Sequence, residues 1–185
     1  MALVHVYVAP GFEEVEMISI VDVLRRAEID TVMVSLSEDL RVTGSHGITV
    51  QTDCSFSAAG TAATTPDLIA LPGGPGANAM LLHEALQQRL RDQISAGKRV
   101  AAICAAPKVL AKAGLLKGRK ATGFPGTENA LLEGGAELST YNVVTDGLIT
   151  TSRAAGTAGL FALALVRLLD KDDKAYEVGR AMLYW

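Results

Sequence analysis

The stretch Val100-Ala101-Ala102-Ile103-Cys104-Ala105-Ala106-Pro107 places a thiol where a protein can make it reactive. Four apolar residues suit a buried parallel strand. Pro107, followed by Val109, Leu110 and Ala113, suits a helix that begins at once, with Gly114 as its stop. Cys104 then falls on the turn between the two, above the carboxyl end of the strand. The free N–H groups of a helix N-terminus lie beside it, and their partial positive charge favours thiolate over thiol. Two other stretches offer complementary groups. Glu16, after Pro10-Gly11, supplies a carboxyl group for proton transfer, and Gly73-Gly74 supplies backbone N–H groups of the kind that hold an oxyanion. Each also has a plainer reading: Cys104 as a small buried hydrophobe, Glu16 as a helix-terminus acid, the glycines as a tight turn. Convergence of the three on one edge of a sheet is what favours chemistry.

The elements around these residues predict such an edge. Leu3 to Val8 reads as a strand buried on both faces, closed by Ala9-Pro10-Gly11. Glu13, Glu14 and Glu16 load the first turn of a helix with acid, Met17, Ile20, Val21 and Leu24 form its apolar stripe, and Arg25-Arg26 suit its other end. Ile29 to Leu36 completes a βαβ unit. Leu40 to Asp53, around Thr43-Gly44-Ser45-His46-Gly47, reads as a small hairpin, and Ser55 to Pro66 as a loop or frayed helix. Asp67 to Leu71 is another buried strand, ended by Pro72-Gly73-Gly74-Pro75-Gly76. Ala77 to Ala96 reads as one broken helix or two short ones. Thr122 to Gly126 is a turn, and Glu128 to Leu132 a short helix stopped by Gly134-Gly135. Val143 to Thr145 and Leu148 to Thr151 flank Asp146-Gly147, the strongest hairpin signal in the chain. Thr157 to Leu169 is apolar nearly all round and predicts a packed helix; Asp172 to Tyr184 predicts a last amphipathic one. Strands alternating with helices give an α/β fold, a mostly parallel sheet covered on both faces, with any site outside the carboxyl ends of the strands.

The 185 residues suit one domain, 1–185, with no internal repeat or linker. A formal net charge of −3 gives no reason to expect a nucleic-acid partner. Two cysteines make no disulfide scaffold, no metal-ligand spacing occurs, and Gly73 to Gly76 lacks the spacing of dinucleotide or nucleoside triphosphate loops, so neither metal nor cofactor is expected. The N-terminal residues run straight into a strand pattern, without a signal peptide or membrane span, and a reducing, cytoplasmic setting is expected.

Gly-Phe-Glu-Glu-Val-Glu, Leu-Pro-Gly-Gly, Ala-Ala-Ile-Cys-Ala-Ala-Pro and Asp-Gly-Leu-Ile-Thr-Thr-Ser-Arg, in this order, resemble the ThiJ/PfpI superfamily over almost the whole chain. The likeness is greatest to the branch containing the Parkinson-disease-associated protein deglycase and its bacterial relatives. It implies a flavodoxin-like three-layer sandwich, a homodimer and a reactive Cys104. It also implies a protonated Glu16 hydrogen-bonded to that sulfur, and backbone donors at Gly73 and Gly74, with Ala105 beside them. Arg26 is expected as a contributor from a partner subunit, and His46, on its loop, from the same or a partner subunit. The functions implied are action on small 2-oxoaldehydes such as methylglyoxal, or on glycated amines, thiols and nucleotides, and, as the alternative, a redox sensor or chaperone for client proteins. Two departures stand out. Ala105 occupies the place where the PfpI-type proteases carry a histidine, which argues against a Cys-His peptidase. Phe124 precedes Pro125 where human-type members carry a histidine near the cysteine, so acid–base work would rest on Glu16.

Overall fold

The computed structural model describes residues 2–61, 65–169 and 171–185. In chain order the strands are β1 (Leu3–Val8), β2 (Asp30–Ser35), β3 (Arg41–Thr43), β4 (Thr49–Gln51), β5 (Cys54–Ser55), β6 (Leu68–Leu71), β7 (Arg99–Ile103), β8 (Lys120–Ala121), β9 (Glu137–Leu138), β10 (Val143–Asp146) and β11 (Ile149–Ser152). The helices are α1 (Glu14–Arg26), α2 (Phe56–Thr61), α3 (Ala77–Leu82), α4 (Glu84–Ser95), α5 (Pro107–Lys112), α6 (Glu128–Glu133), α7 (Ala158–Leu168) and α8 (Asp172–Ala181). Seven strands form the central sheet in the order β10-β11-β7-β6-β1-β2-β5. Every neighbouring pair is parallel except the β10–β11 hairpin.

The runs of Val, Ile, Leu and Ala in β1, β6 and β7 are buried because helices cover both faces of the sheet. Met17, Ile20 and Leu24 of α1 meet Phe161 and Leu165 of α7 on one face, with α8 outside them; Leu86 and Leu90 of α4 and Val109 and Leu110 of α5 pack on the other. Full burial of each large side chain contributes roughly 1.5–3 kcal/mol. The middle strands β2-β1-β6-β7-β11 follow the flavodoxin-like order, which reverses direction between β1 and β6 and opens a crevice above that junction.

The structure chooses between the alternatives that the sequence left open and moves some boundaries, for identifiable reasons. The Ala77–Ala96 stretch is two helices because His83 leaves helical geometry and its Nδ1 accepts the Leu86 N–H at 3.0 Å, capping α4. The hairpin loop is Gly147-Leu148, since Asp146 still pairs with Ile149; Asp146 Oδ2 accepts the N–H of Lys120 at 2.8 Å. The parallel pair β8–β9, two residues a side, has too few residues to show a periodicity and was not anticipated. Within Ser55–Pro66, α2 covers Phe56–Thr61, and 62–64 lie outside the described residues. The last helix ends at Ala181, short of Tyr184. Leu183 turns left-handed at φ 58°, so that Tyr184 and Trp185 fold back over Gly159 and Gly179, with Arg167 stacked 5.6 Å above the Trp185 ring. Among the described residues no helix is long and apolar enough to cross a membrane.

Candidate active site

Three turns meet at the carboxyl ends of β1, β6 and β7, which are adjacent strands. Backbone bonds lock them together: Gly76 N–H donates to the Gly11 carbonyl at 2.8 Å, and Glu13 N–H to the Gly73 carbonyl at 3.1 Å. Glu13 also caps α1, its carboxylate accepting the Glu16 N–H at 2.7 Å. One turn further along that helix Glu16 points inward, because it lies on the same stripe as Ile20 and Val23.

Cys104 follows β7 directly and lies in the left-handed region, at φ 62°. For a residue with a Cβ this costs about 1–2 kcal/mol, and it persists because both sides of the turn are held. Cys104 N–H donates to the Ser152 carbonyl at 2.9 Å, and its own carbonyl accepts the Phe124 N–H at 2.8 Å. The side chain is buried, with the N–H groups of Gly74 and Ala105 directed at the sulfur. Glu16 is fully buried beside it. Its Oε2 accepts the Gly73 N–H at 2.8 Å, while Oε1 has no nitrogen or oxygen partner and the carboxyl group faces the Cys104 thiol. Space for this contact comes from Gly73: a methyl there would lie 2.7 Å from the Cys104 Cβ and 2.9 Å from Glu16 Oε2. Of the two glycine N–H groups expected to serve an oxyanion, that of Gly73 is therefore taken by Glu16. The pair facing the sulfur is Gly74 and Ala105.

Burial raises the Glu16 carboxyl to about 7, against the downward pull of hydrogen bonds from Cys104 and Gly73. Burial, and then the charge and hydrogen bond of Glu16, push the Cys104 thiol up to about 12, outweighing the N–H groups of Gly74 and Ala105. Burial and Glu16 therefore act against the pull of the Gly74 and Ala105 N–H groups at the start of α5, and the shared proton belongs to the pair. Between these values the pair carries one negative charge, and each group's ionisation depends on whether the other holds the proton.

The remaining candidates lie around this pair or away from it. Phe124, half exposed, enters through its backbone clamp on Cys104. His46 projects from the β3–β4 hairpin to the start of α1, where its Nδ1 lies 2.8 Å from Glu14 Oε2 and its N–H donates to Glu14 Oε1 at 2.6 Å. Ligand atoms of Glu13, Glu14 and His46 lie within 4.8 Å of one another, a grouping that sequence spacing hides. Arg26 sits at the far end of α1, about 15 Å along the helix from Glu16, and pairs with Asp22 at 2.7 Å. His5 lies in β1, His83 caps α4, and Cys54 is a half-buried residue of β5. Sequence reasoning missed Ser152, whose part is played by a main-chain carbonyl and leaves no side-chain signal.

The chain matches the model of the DJ-1/PfpI family over residues 2–168. It is 39% identical to Protein dj-1beta of Drosophila melanogaster over 96% of this chain and 95% of that protein. The crystal structure of Drosophila melanogaster DJ-1beta superimposes with a TM-score of 0.92, covering 98% of this chain and 97% of that one at 37% identity. Deglycase PfpI of Pyrococcus furiosus is 32% identical over 87% of this chain and 95% of its own length. The structure of oxidized Toxoplasma gondii DJ-1 gives a TM-score of 0.91 at 35% identity over 99% of this chain and 98% of that one. With family model, relatives and fold in agreement along nearly its whole length, the chain belongs to the DJ-1/PfpI family.

Proposed function

We propose that the protein acts on small 2-oxoaldehydes such as methylglyoxal, or on their adducts with protein or nucleotide amines and thiols, through a covalent hemithioacetal on Cys104. The observation that carries this reading is the buried Glu16 carboxyl facing a sulfur toward which the Gly74 and Ala105 N–H groups point. Cys104 Sγ adds to the aldehyde carbon, and the thiol proton, relayed by Glu16, ends on the former carbonyl oxygen. While that oxygen is negative, the N–H groups of Gly74 and Ala105 hold it. Glu16 as carboxylate then takes the hydrogen on that carbon and returns a proton to the neighbouring one, while the hydroxyl proton passes to the neighbouring oxygen, leaving a 2-hydroxy thioester. Water hydrolyses the thioester to lactate and frees the cysteine, so the net reaction is methylglyoxal plus water to lactate. The name of the Pyrococcus relative, a deglycase, is consistent with this class of substrate. A homodimer in the cytoplasm is part of the proposal: Val15 and Ile18 are exposed apolar residues of α1, and pairing through that helix would bring Arg26 towards the partner's site.

A second reading has its own support. Among the described residues no imidazole hydrogen-bonds to or acts electrostatically on Cys104, and Phe124 stands where human-type members of the resembled branch carry a histidine. In that reading Cys104 stops at sulfinate under peroxide, with Glu16 donating a hydrogen bond to it, and the protein acts as a redox sensor or chaperone. Turnover of methylglyoxal to lactate by wild type, Cys104→Ser and Glu16→Ala decides between them. Loss of lactate formation in both variants is expected. Equal rates in all three proteins leave the sensor reading, which peroxide titration followed by mass spectrometry of Cys104 in wild type, Glu16→Gln and Glu16→Asp then tests.

A further inference from the structure

On the sheet face away from α1 and α7, a cavity of about 290 Å³ opens between α2, α4 and strands β1 and β6, bordered by His5, Tyr7 and Arg89. These three polar side chains have bonding capacity that the described residues leave unused. Arg89 lays its guanidinium 3.8 Å over the Phe56 ring and donates through Nη1 to the Tyr7 hydroxyl at 2.8 Å and the Phe56 carbonyl at 3.3 Å. Among the described residues no carboxylate pairs with it, and its Nε–Nη2 edge has no acceptor. Tyr7, fully buried, accepts from Arg89, and its own O–H has no acceptor among the described residues. His5 is 4% exposed and makes no hydrogen bond among the described residues, with Nδ1 buried and unpartnered. The buried Nδ1 of His5 is the polar atom of this lining left without a partner among the described residues, and beside it the half-buried Arg89 and the Tyr7 hydroxyl keep donors that a ligand in the cavity could use. Gly60 belongs to the same arrangement, because a methyl there would collide with Nη2 of Arg89.

The chemistry of the lining narrows the ligand. A free guanidinium edge is a planar two-donor fork that fits a carboxylate. The Tyr7 O–H adds a third donor. Burial, and then the charge of Arg89, hold the His5 imidazole below its usual range, so at neutral pH it is an uncharged donor or acceptor. Asp92, on the same cavity and bonded to the Gln88 amide at 2.8 Å, opposes a second negative charge. Ile69, Pro66 and Ala59 supply apolar walls. We propose that this cavity is a second ligand site, separate from Cys104, for a small organic monocarboxylate with an aromatic or branched apolar body.

Benzoate is a suitable probe, with benzamide as its neutral isostere and inorganic phosphate as a compact anion. Binding is followed by thermal shift and by the imidazole NMR signals of His5, assigned through their absence in His5→Val. Saturable binding of benzoate is expected, with benzamide at least about tenfold weaker and phosphate without effect on His5. Arg89→Gln should weaken benzoate at least about tenfold, and Tyr7→Phe, which removes one hydroxyl and keeps the ring, should weaken it as well. Cys104→Ser should bind like wild type. The proposal is overturned if wild type shows no saturable response, if Arg89→Gln and Tyr7→Phe bind benzoate as wild type does, or if Cys104→Ser abolishes the response.

Discussion

Replacing Glu16 by Gln should remove a pH dependence of stability that the wild-type protein carries. The folded carboxyl, raised by burial to about 7, holds its proton more tightly than an unfolded one near 4.5. Its contribution is therefore fully present below about 4.5 and is lost as pH rises through about 7. At ~1.4 kcal/mol per pKa unit, the full loss amounts to about 3 kcal/mol, most of it complete by neutral pH. Gln keeps the shape, its carbonyl can accept the Gly73 N–H, and its amide offers a donor to the sulfur, but it never takes the charge. Urea unfolding of both proteins at intervals from pH 4.5 to 8 measures the difference. The upper limit keeps the thiol of the unfolded chain from ionising appreciably. Titration of His46 is common to both proteins and cancels. The stability gap, Glu16→Gln minus wild type, should widen by about 3 kcal/mol across the range, or roughly 6–12 °C in melting temperature. Parallel curves would show that Glu16 ionises as freely in the folded protein as in the unfolded one, and the proton relay drawn for Cys104 would fall with it.

Other consequences are open to measurement. Gly73→Ala should cost about 1–3 kcal/mol in urea unfolding and alter the rate of Cys104 alkylation, because its methyl lands between Cys104 and Glu16; Gly156→Ala, with nothing within 4 Å, is the control and should leave both unchanged. Cys104→Gly should be more stable than Cys104→Ala by roughly 0.5–1 kcal/mol, since glycine relieves the left-handed backbone; the reverse order in thermal melts would contradict the strain. The carboxylate of Glu14 raises the His46 imidazole, so the clasp between hairpin and α1 is strongest while His46 is protonated and loosens as pH rises through that raised value. Amide exchange in β3 and β4 should therefore accelerate more with pH in wild type than in His46→Gln.

The sheet and its site edge were legible because apolar runs and Gly-Pro breaks are local signals. Cys104 before Pro107, Glu16 on the buried stripe of α1 and the Gly73-Gly74 turn could be brought to one edge by the rules of parallel sheets alone. The charge state of the sulfur could not. It depends on how far Glu16 and Cys104 are withdrawn from water, a property of packing by α7 and the three turns that a helix-terminus argument leaves out. The division of labour between Gly73 and Gly74 was hidden for the same reason, since the two residues are alike in the chain and differ in which atom each N–H meets. His46 gave no hint that it would seat on Glu14, 32 residues away, and the unused hydrogen-bonding capacity of His5 appears once α2 and α4 close over β1.

The ends of the central sheet bear on how the molecule resists pairing with other chains. At one border β5 pairs with β2 through two residues, Cys54 and Ser55, before the chain turns into α2. At the other, β10 lies beside the short β8, whose Lys120 main chain is tied to the Asp146 side chain. Neither border offers a long, flat run of open main chain, the feature by which misfolded polypeptides recruit further strands. Short, covered borders of this kind leave little main chain on which a second sheet could align edge to edge, where a longer exposed edge would nucleate aggregation.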